Sequence, residues 1–425
     1  MFTRPFFIPR QLKSLLRTAP LVGLISLVPA GELAMAGDQW SQWRGPERTA
    51  ILPADAALPT KLSGEGGLET VWKVPLGPSY SGPVVSDGLV VTTETVDTKL
   101  ERVTAFELET GKVSWTTQWE GAMSVPFFAK KNGDWIRATP AIADGKVYIA
   151  GMKDLLVCLD LKTGDEIWRC DFTERYKTAV PAFGFASSPL VDNGFVYVQA
   201  GEALCKLDAN TGETVWRSLQ GNGGMDSAFS SPIFATLHGV RQLVVQTREA
   251  LCGLNPEDGK VYWTQPIEAF RGMNILTPTV IGNRIFTSAY GGRANLWEIS
   301  LSDDQWGVAQ IWDEKHQAYM ASPVVLGGHL YLHLRNTRFT CVDLETGEGT
   351  WITQPTEDYW SMIGSGDRIL ALASDGTLRL IEATPEEYRE LDSFKIADDS
   401  WAHVAVSGNL VLIRDIRGLK VSRFE

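Results

Sequence analysis

One short pattern recurs along the chain and limits what it can fold into. An acidic or amide residue is followed four positions later by glycine, and four further on by tryptophan: Glu107, Gly111 and Trp115; Asp160, Gly164 and Trp168; Asp208, Gly212 and Trp216; Asn255, Gly259 and Trp263; Asp343, Gly347 and Trp351. The glycine follows Thr in four copies and Asp258 in the other, pairs that suit a tight turn between antiparallel strands. The glycines lie 53, 48, 47 and 88 residues apart, so the last gap is two periods, with Trp312 marking a degenerate copy inside it. A period of about 40–50 residues, with alternating apolar strands on both sides of each turn, is the signature of a propeller or a repeat array.

A second marker opens each unit: Gly82-Pro83, Thr139-Pro140, Ser188-Pro189, Ser231-Pro232, Thr277-Pro278 and Ser322-Pro323. Proline as the first residue of a strand removes no ladder hydrogen bond, so it can punctuate each unit there. After Pro140 the chain reads as strand, turn at Asp144-Gly145, strand, a third strand over residues 155–161, and then the Thr-Gly turn and the tryptophan strand. Each unit is thus expected to be a four-stranded antiparallel meander. Two more units lack the proline, one from about Met362 and one from about His403. The last ends after three strands, and residues 69–74, which carry the tryptophan-strand pattern around Trp72 but have no strands before them, supply the fourth. The expected fold is all-β: an eight-bladed propeller over residues 69–425, closed by the N-terminal strand joining the C-terminal blade. Such closure hides the sheet edges that an open array exposes.

Residues 1–36 read as an export signal, with Arg4, Arg10, Lys13 and Arg17 before an apolar stretch at 21–28 and a small-residue cleavage site at Ala34-Met35-Ala36. Cleavage there leaves residues 37–68 as an N-terminal extension. The apolar stretch is short for a bilayer span of about 20 residues, and no other segment could span one. With no cysteine at the cleavage site for a lipid, the expected location is periplasmic or otherwise exported. Removing the signal takes 39 basic and 51 acidic side chains to 35 and 50, a net charge of −15. That balance gives no basic footprint for phosphates and excludes nucleic-acid binding. Five cysteines, Cys158, Cys170, Cys205, Cys252 and Cys341, are an odd number and cannot all pair. Four occupy nearly the same place in successive repeats and read as small buried hydrophobes. Cys158–Cys170 is the one local pairing available, and counting outward from the Thr163-Gly164 turn disfavours it by placing Trp168 opposite Cys158.

The copies ending at Trp168 and Trp351, Cys-x-Asp-x-x-Thr-Gly-x-x-x-Trp, resemble the tryptophan docking motif of pyrroloquinoline-quinone (PQQ) propeller repeats. Trp40-Ser-Gln-Trp43-Arg-Gly-Pro46 likewise resembles the opening of secreted PQQ-like repeat proteins. The resemblance covers about residues 69–425 and implies that Trp72, Trp115, Trp168, Trp216, Trp263, Trp312 and Trp351 dock each blade onto the next. It also implies one of two functional classes. Quinoprotein dehydrogenases hold PQQ and Ca²⁺ in the central channel, whereas the outer-membrane assembly factors of the BamB family are docking scaffolds without a cofactor. The alcohol dehydrogenases of the first class carry adjacent cysteines over the quinone; no two cysteines are adjacent here, and there is no C-x-x-C-H for an attached haem. The expectation is a non-catalytic exported propeller that binds a protein, peptide or other envelope component, with no cofactor. A PQQ-dependent oxidoreductase with calcium, or a carbohydrate-binding propeller, are the alternatives.

Other chemistry finds little footing. His329 and His333 would share a metal on a helix, but in a strand they stand about 13 Å apart. Gly364-Ser365-Gly366 lacks the spacing and context of a nucleophile elbow. Asp303-Asp304 and Asp398-Asp399 read as solvated loop charges, with Ca²⁺ ligation as the other possibility. No catalytic residue and no metal ligand is expected. In a propeller the loop entering the innermost strand ends at the central channel, which places Tyr80, Arg137, Phe185, Phe229, Asn274, Tyr319, Trp360 and Trp401 at its mouth, with His403 nearby. Such a mouth would suit a small ring-bearing ligand, a sugar or an extended peptide, with Arg137 gripping a carboxylate; alternatively, the same rings pack between blades. The longest insertion, residues 121–135 with Phe127-Phe128, reads as a partner contact or a lid, and residues 220–224 as flexible punctuation. Residues 40–46 are expected to pack along the outside or underside of the ring, since two tryptophans are costly to leave in water.

Overall fold

The Thr-Gly turns are built by their own side chains. Asp160 Oδ1 accepts from the backbone N–H groups of Lys162 and Thr163, each at 2.9 Å, while Gly164 N–H donates back to the Asp160 carbonyl. Asp208 and Asp343 repeat the arrangement. These bonds, from Thr163 N–H and Thr346 N–H above all, hold the Asp160 and Asp343 carboxyls below the usual range. Past the turn the pairing slips by one residue between Cys158 and Leu159, a bulge that leaves Trp168 opposite Cys158. All five cysteines are buried and free of disulfides, and burial pushes the thiols of Cys158, Cys170 and Cys205 up to about 12.

The computed structural model describes residues 39–425 apart from residue 55 and residues 222–227, so the export signal and part of the 220–224 loop lie outside the described residues. The strands form eight four-stranded antiparallel sheets. Their first strands are Val84–Ser86, Ala141–Ala143, Leu190–Asp192, Ile233–Leu237, Thr279–Ile281, Val324–Leu326, Trp360–Ser365 and Ala405–Ser407. The eighth blade is completed by Glu69–Pro75, which pairs with Gly418–Arg423 and closes the ring. Apolar cores lie between blades: Val84, Val91 and Trp115 of the first pack with Ile142, Val147 and Val157 of the second. No helix among the described residues is long and apolar enough to cross a membrane.

Six indoles bridge to the following blade. Trp72 Nε1–H donates to the Leu108 carbonyl at 2.7 Å, Trp115 to Leu161 at 2.8 Å, Trp168 to Ala209 at 3.1 Å, Trp216 to Pro256 at 3.2 Å, Trp312 to Leu344 at 2.9 Å and Trp351 to Thr384 at 2.9 Å. A Cβ on Gly212 would stand 2.6 Å from the Trp168 ring, and Gly212 has φ +69°, so two independent constraints favour glycine there. Trp263 corrects the expected pattern. Its N–H donates to Gln242 Oε1 of its own blade at 2.8 Å, because the next blade turns at Asp303-Asp304 and offers no Thr-Gly turn to receive it. There Tyr262 and Trp306, with ring centroids 5.6 Å apart, join the two outer strands instead.

Candidate functional site: an aromatic cup at the channel mouth

The small residue before each of the first five prolines bonds to the neighbouring blade. Gly82 N–H donates to Thr139 Oγ1 at 3.1 Å, Thr139 N–H to Ser188 Oγ at 3.0 Å, Ser188 N–H to Ser231 Oγ at 2.9 Å and Ser231 N–H to Thr277 Oγ1 at 3.0 Å. Proline holds the preceding residue extended, and the hydroxyls become a collar linking the first five blades. Between the seventh and eighth blades, Val404 N–H donates to Ser361 Oγ at 3.1 Å.

Alternate residues of an extended segment share a face, so the residue three before the proline faces the same way as the collar. Tyr80, Arg137, Ala186, Phe229, Ile275 and Met320 all border one cavity of about 830 Å³. Of the residues expected at the mouth, Tyr80, Arg137, Phe229, Tyr319, Trp401 and His403 border it. Three do not. Phe185 and Asn274 stand four before their prolines and turn away: Phe185 packs on Phe172 at 6.2 Å, and Asn274 Nδ2 donates to the Arg248 carbonyl at 3.0 Å. Trp360 lies inside its strand, which begins two residues ahead of Met362 because no proline marks the entry. It is fully buried, stacked on His333 at 5.2 Å, and Tyr359 borders the cavity in its place. His329 and His333 share the strand His329–His333.

The floor was not anticipated. Trp40 pairs with Val85 through two backbone bonds of 2.9 and 3.0 Å, Ser41 O accepts from Ile142 N–H at 2.8 Å, and Gln42 Oε1 accepts from Val191 N–H at 3.1 Å. Gly364 N–H donates to Ala50 O at 2.8 Å, and Leu52 N–H donates to Gly364 O at 2.9 Å. A segment that touches the first strands of blades one, two, three and seven can only lie on the ring axis. Residues 40–52 are therefore a plug through the centre, neither outside nor beneath the ring. The inner strands expose unpaired backbone groups to the channel, and the plug satisfies some of them. Gly364 makes room for it, since a Cβ there would meet Ile51 Cδ1 at 2.9 Å.

The plug carries two buried cations. Arg44 donates to the carbonyls of Thr49 at 2.9 Å and of Pro323, and Arg48 to those of Pro189 at 2.7 Å and Ser188 at 3.0 Å. Burial lowers them to about 10 and about 9, so both stay charged at neutral pH. Their guanidinium carbons stand 5.5 and 5.7 Å from the Trp43 ring centroid, and Trp43 borders the cavity. His403 stacks on Trp40 at 6.4 Å and meets Trp43 edge-on at 6.1 Å. Burial, with Arg44 next, holds its imidazole down to about 3, so it is neutral.

The walls of the cup are rings and arginines. Tyr359 and Trp401 lie parallel, 5.4 Å apart and 3° from coplanar, and Tyr80 stands 5.8 Å from Trp401. Burial pushes the Tyr80 and Tyr359 hydroxyls up to about 12. Arg137 donates to the carbonyls of Gly133 at 3.0 Å and Trp135 at 3.3 Å and, lowered by burial to about 10, keeps its charge. Phe128, from the 121–135 insertion, borders the cavity and meets Phe183 at 6.2 Å. Arg248 and Arg271 add two more cations, and among the described residues no aspartate or glutamate borders the cavity. The one histidine among the described lining residues is neutral and the hydroxyls of Thr139, Ser188, Ser231 and Thr277 accept bonds between blades, so the cup can stack on a ligand and attract charge, with no nucleophile paired with a base among the described residues.

That donor set bears on the quinone cofactor. Calcium takes about 6–8 oxygen ligands, carboxylates prominent among them. Among the described residues the cavity wall supplies no carboxylate, and no group of three His, Cys, Asp or Glu could hold a metal. The residues present do not fit a calcium-bound PQQ.

A protein in Yersinia pestis named outer membrane protein assembly factor BamB is 25% identical over 278 residues, 59% of this chain and 67% of the relative. Quinohemoprotein alcohol dehydrogenase ADH-IIG of Pseudomonas putida is 25% identical over 335 residues, but the match spans only 38% of that enzyme. Among solved structures, BamB from Moraxella catarrhalis shares the fold with a TM-score of 0.61 at 14% identity, covering 84% of this chain and 98% of that one. The quinohemoprotein alcohol dehydrogenase of Comamonas testosteroni does so with a TM-score of 0.60 at 14% identity, covering 92% and 81%. The family model that matches residues 99–353, more than half of the repeat ring, is described as outer membrane protein assembly factor BamB, and the chain belongs to that family.

Proposed function

We propose that this protein is a non-catalytic, exported propeller of the cell envelope, and that its cup receives a segment of an envelope protein or peptide. The observation that carries this reading is the chemistry of the cup: a cavity walled by rings and arginines, with no metal-ligand cluster and no activated nucleophile among the described residues. Exposed rings stand at its rim, Phe127 at 84% exposure, Phe128 at 62% and Phe270 at 53%. Large apolar side chains gathered at one mouth mark an interaction site. Membership of the assembly-factor family supports an envelope partner, and its relatives' names support an exported location.

The test is a photo-crosslinking residue placed at Phe128, compared with one at Val215, an exposed outer-strand position. Adducts with envelope proteins are expected from Phe128 and not from Val215. Equal yields from both, or none from Phe128, overturn the reading. Titration with PQQ and Ca²⁺ checks the enzyme alternative: saturable binding with a raised Tm would displace the scaffold reading.

A further inference from the structure

The cup concentrates positive charge in a chain that carries a net charge of −12. Arg137 stands on the wall at the entry to the second blade, and Arg248 and Arg271 stand across from it at the fourth and fifth. Arg248 and Arg271 lie 5.6 and 5.2 Å from the rings of Phe229 and Phe270, a placement in which a guanidinium rests on an aromatic face. Beneath them Arg44 and Arg48 add two buried charges whose hydrogen bonds go to carbonyls, and the Nε of each is buried without a hydrogen-bond partner. Asp134 acts on Arg137 and Asp399 on Tyr80, but neither borders the cavity. Clefts lined by one sign of charge focus the field and raise the local concentration of the opposite ion. Arg248 and Arg271 also border a neighbouring depression that Glu249 and Glu268 line, and neither glutamate borders the cup.

We propose that the cup selects an acidic peptide segment in which carboxylates alternate with aromatic side chains. This rests on the binding reading above and deepens it. Ligand pockets of roughly 300–1,000 Å³ hold a small molecule or a few residues, so a cavity of about 830 Å³ takes an extended segment and not a folded domain. Its rings would stack between those of the wall, and its carboxylates would meet the arginine forks.

The test measures binding of two acetylated, amidated pentapeptides, Glu-Phe-Glu-Phe-Glu and Lys-Phe-Lys-Phe-Lys, to the whole protein by calorimetry. The acidic peptide is expected to bind at least roughly tenfold more tightly and to weaken as salt rises from about 50 to 500 mM. The single variant Arg271→Gln should lose part of that preference, and Arg248→Gln, which also removes a hydrogen bond to the Arg271 carbonyl, is read only where its Tm shows the fold intact. Equal binding of both peptides overturns the charge selection and leaves the binding reading standing; failure of both peptides to bind overturns the two together.

Discussion

Replacing Trp168 by alanine tests the docking geometry most directly. The side chain is 9% exposed, its ring lies over Gly212 of the next blade, and Tyr148 packs on it with centroids 6.0 Å apart. Truncating a buried aromatic of this size costs about 3–5 kcal/mol. Little of that is the hydrogen bond, because the Ala209 carbonyl also accepts from Tyr148 Oη at 3.2 Å and is not orphaned when the indole goes. Trp168→Phe, which keeps most of the ring and loses the N–H, should therefore cost only about 1 kcal/mol. If the closed ring unfolds as one unit, an unfolding entropy of about 2.1 cal/mol/K per residue over ~390 residues gives about 0.8 kcal/mol/K. Tm should then fall by about 4–6 °C for the alanine variant and by about 1–2 °C for phenylalanine, read by calorimetry at one scan rate. Gly212→Ala supplies the cross-check: in the parent its Cβ clashes with the indole, whereas combined with Trp168→Ala only the left-handed backbone cost of roughly 1–2 kcal/mol remains. An alanine variant that melts within about 1 °C of the parent, or strict additivity in the double variant, would falsify the docking argument.

Three further outcomes follow from the collar and the buried ionisable groups. Ser188→Ala removes the acceptor for Thr139 N–H and should cost about 1–3 kcal/mol in urea unfolding; a neutral result removes the collar as a stabilising element. Burial raises the Asp154 carboxyl to about 7, so the folded chain holds a proton there that the unfolded chain releases near pH 4. The stability from that proton is full at low pH and is lost as pH rises through 7. Asp154→Asn, whose amide can still accept from Gly201 N–H and tolerates the φ of +62°, should be roughly 1–3 kcal/mol more stable than the parent at pH 8 and similar to it near pH 4. His403 has the opposite sign: held down to about 3, it contributes stability that is full above about pH 6.5 and is lost as pH falls. At pH 5 the loss is about 2 kcal/mol, and His403→Gln should flatten the acid limb between pH 7 and 5; parallel curves for parent and variant would refute it.

The number of blades, the closure and the place of each tryptophan were legible in the sequence because each is a local count. A turn glycine and the tryptophan four residues on are fixed relative to one another by the hairpin and its bulge, whatever surrounds them. The count of three residues back from each proline was equally available, and it identifies Ala186, Ile275 and Met320 as cavity residues. Reading Phe185 and Asn274 instead, one residue further out, put them on the other face, because in an extended segment one step reverses the side chain; Tyr319, at the same offset, still borders the cavity beside Met320, so the rule does not hold at every blade. What a residue meets across an interface was not a local count. Trp263 sits in the same turn-and-strand pattern as the other tryptophans, yet turns inward because the following blade lacks the turn it would dock on.

The plug belongs wholly to tertiary structure. Residues 40–52 show neither strand alternation nor a repeat, and their partners lie as far away as Gly364. Only a closed ring creates an axis lined with unpaired backbone groups, and only there does Trp43 become the floor of a charged cup, with Arg44 and Arg48 buried against its ring. The sequence by itself determined the repeating blade, since strand, turn and docking ring are written within about 45 residues. Tertiary structure decided which rings face the cavity and where the charge sits, because those follow from groups that closure brings together across the axis.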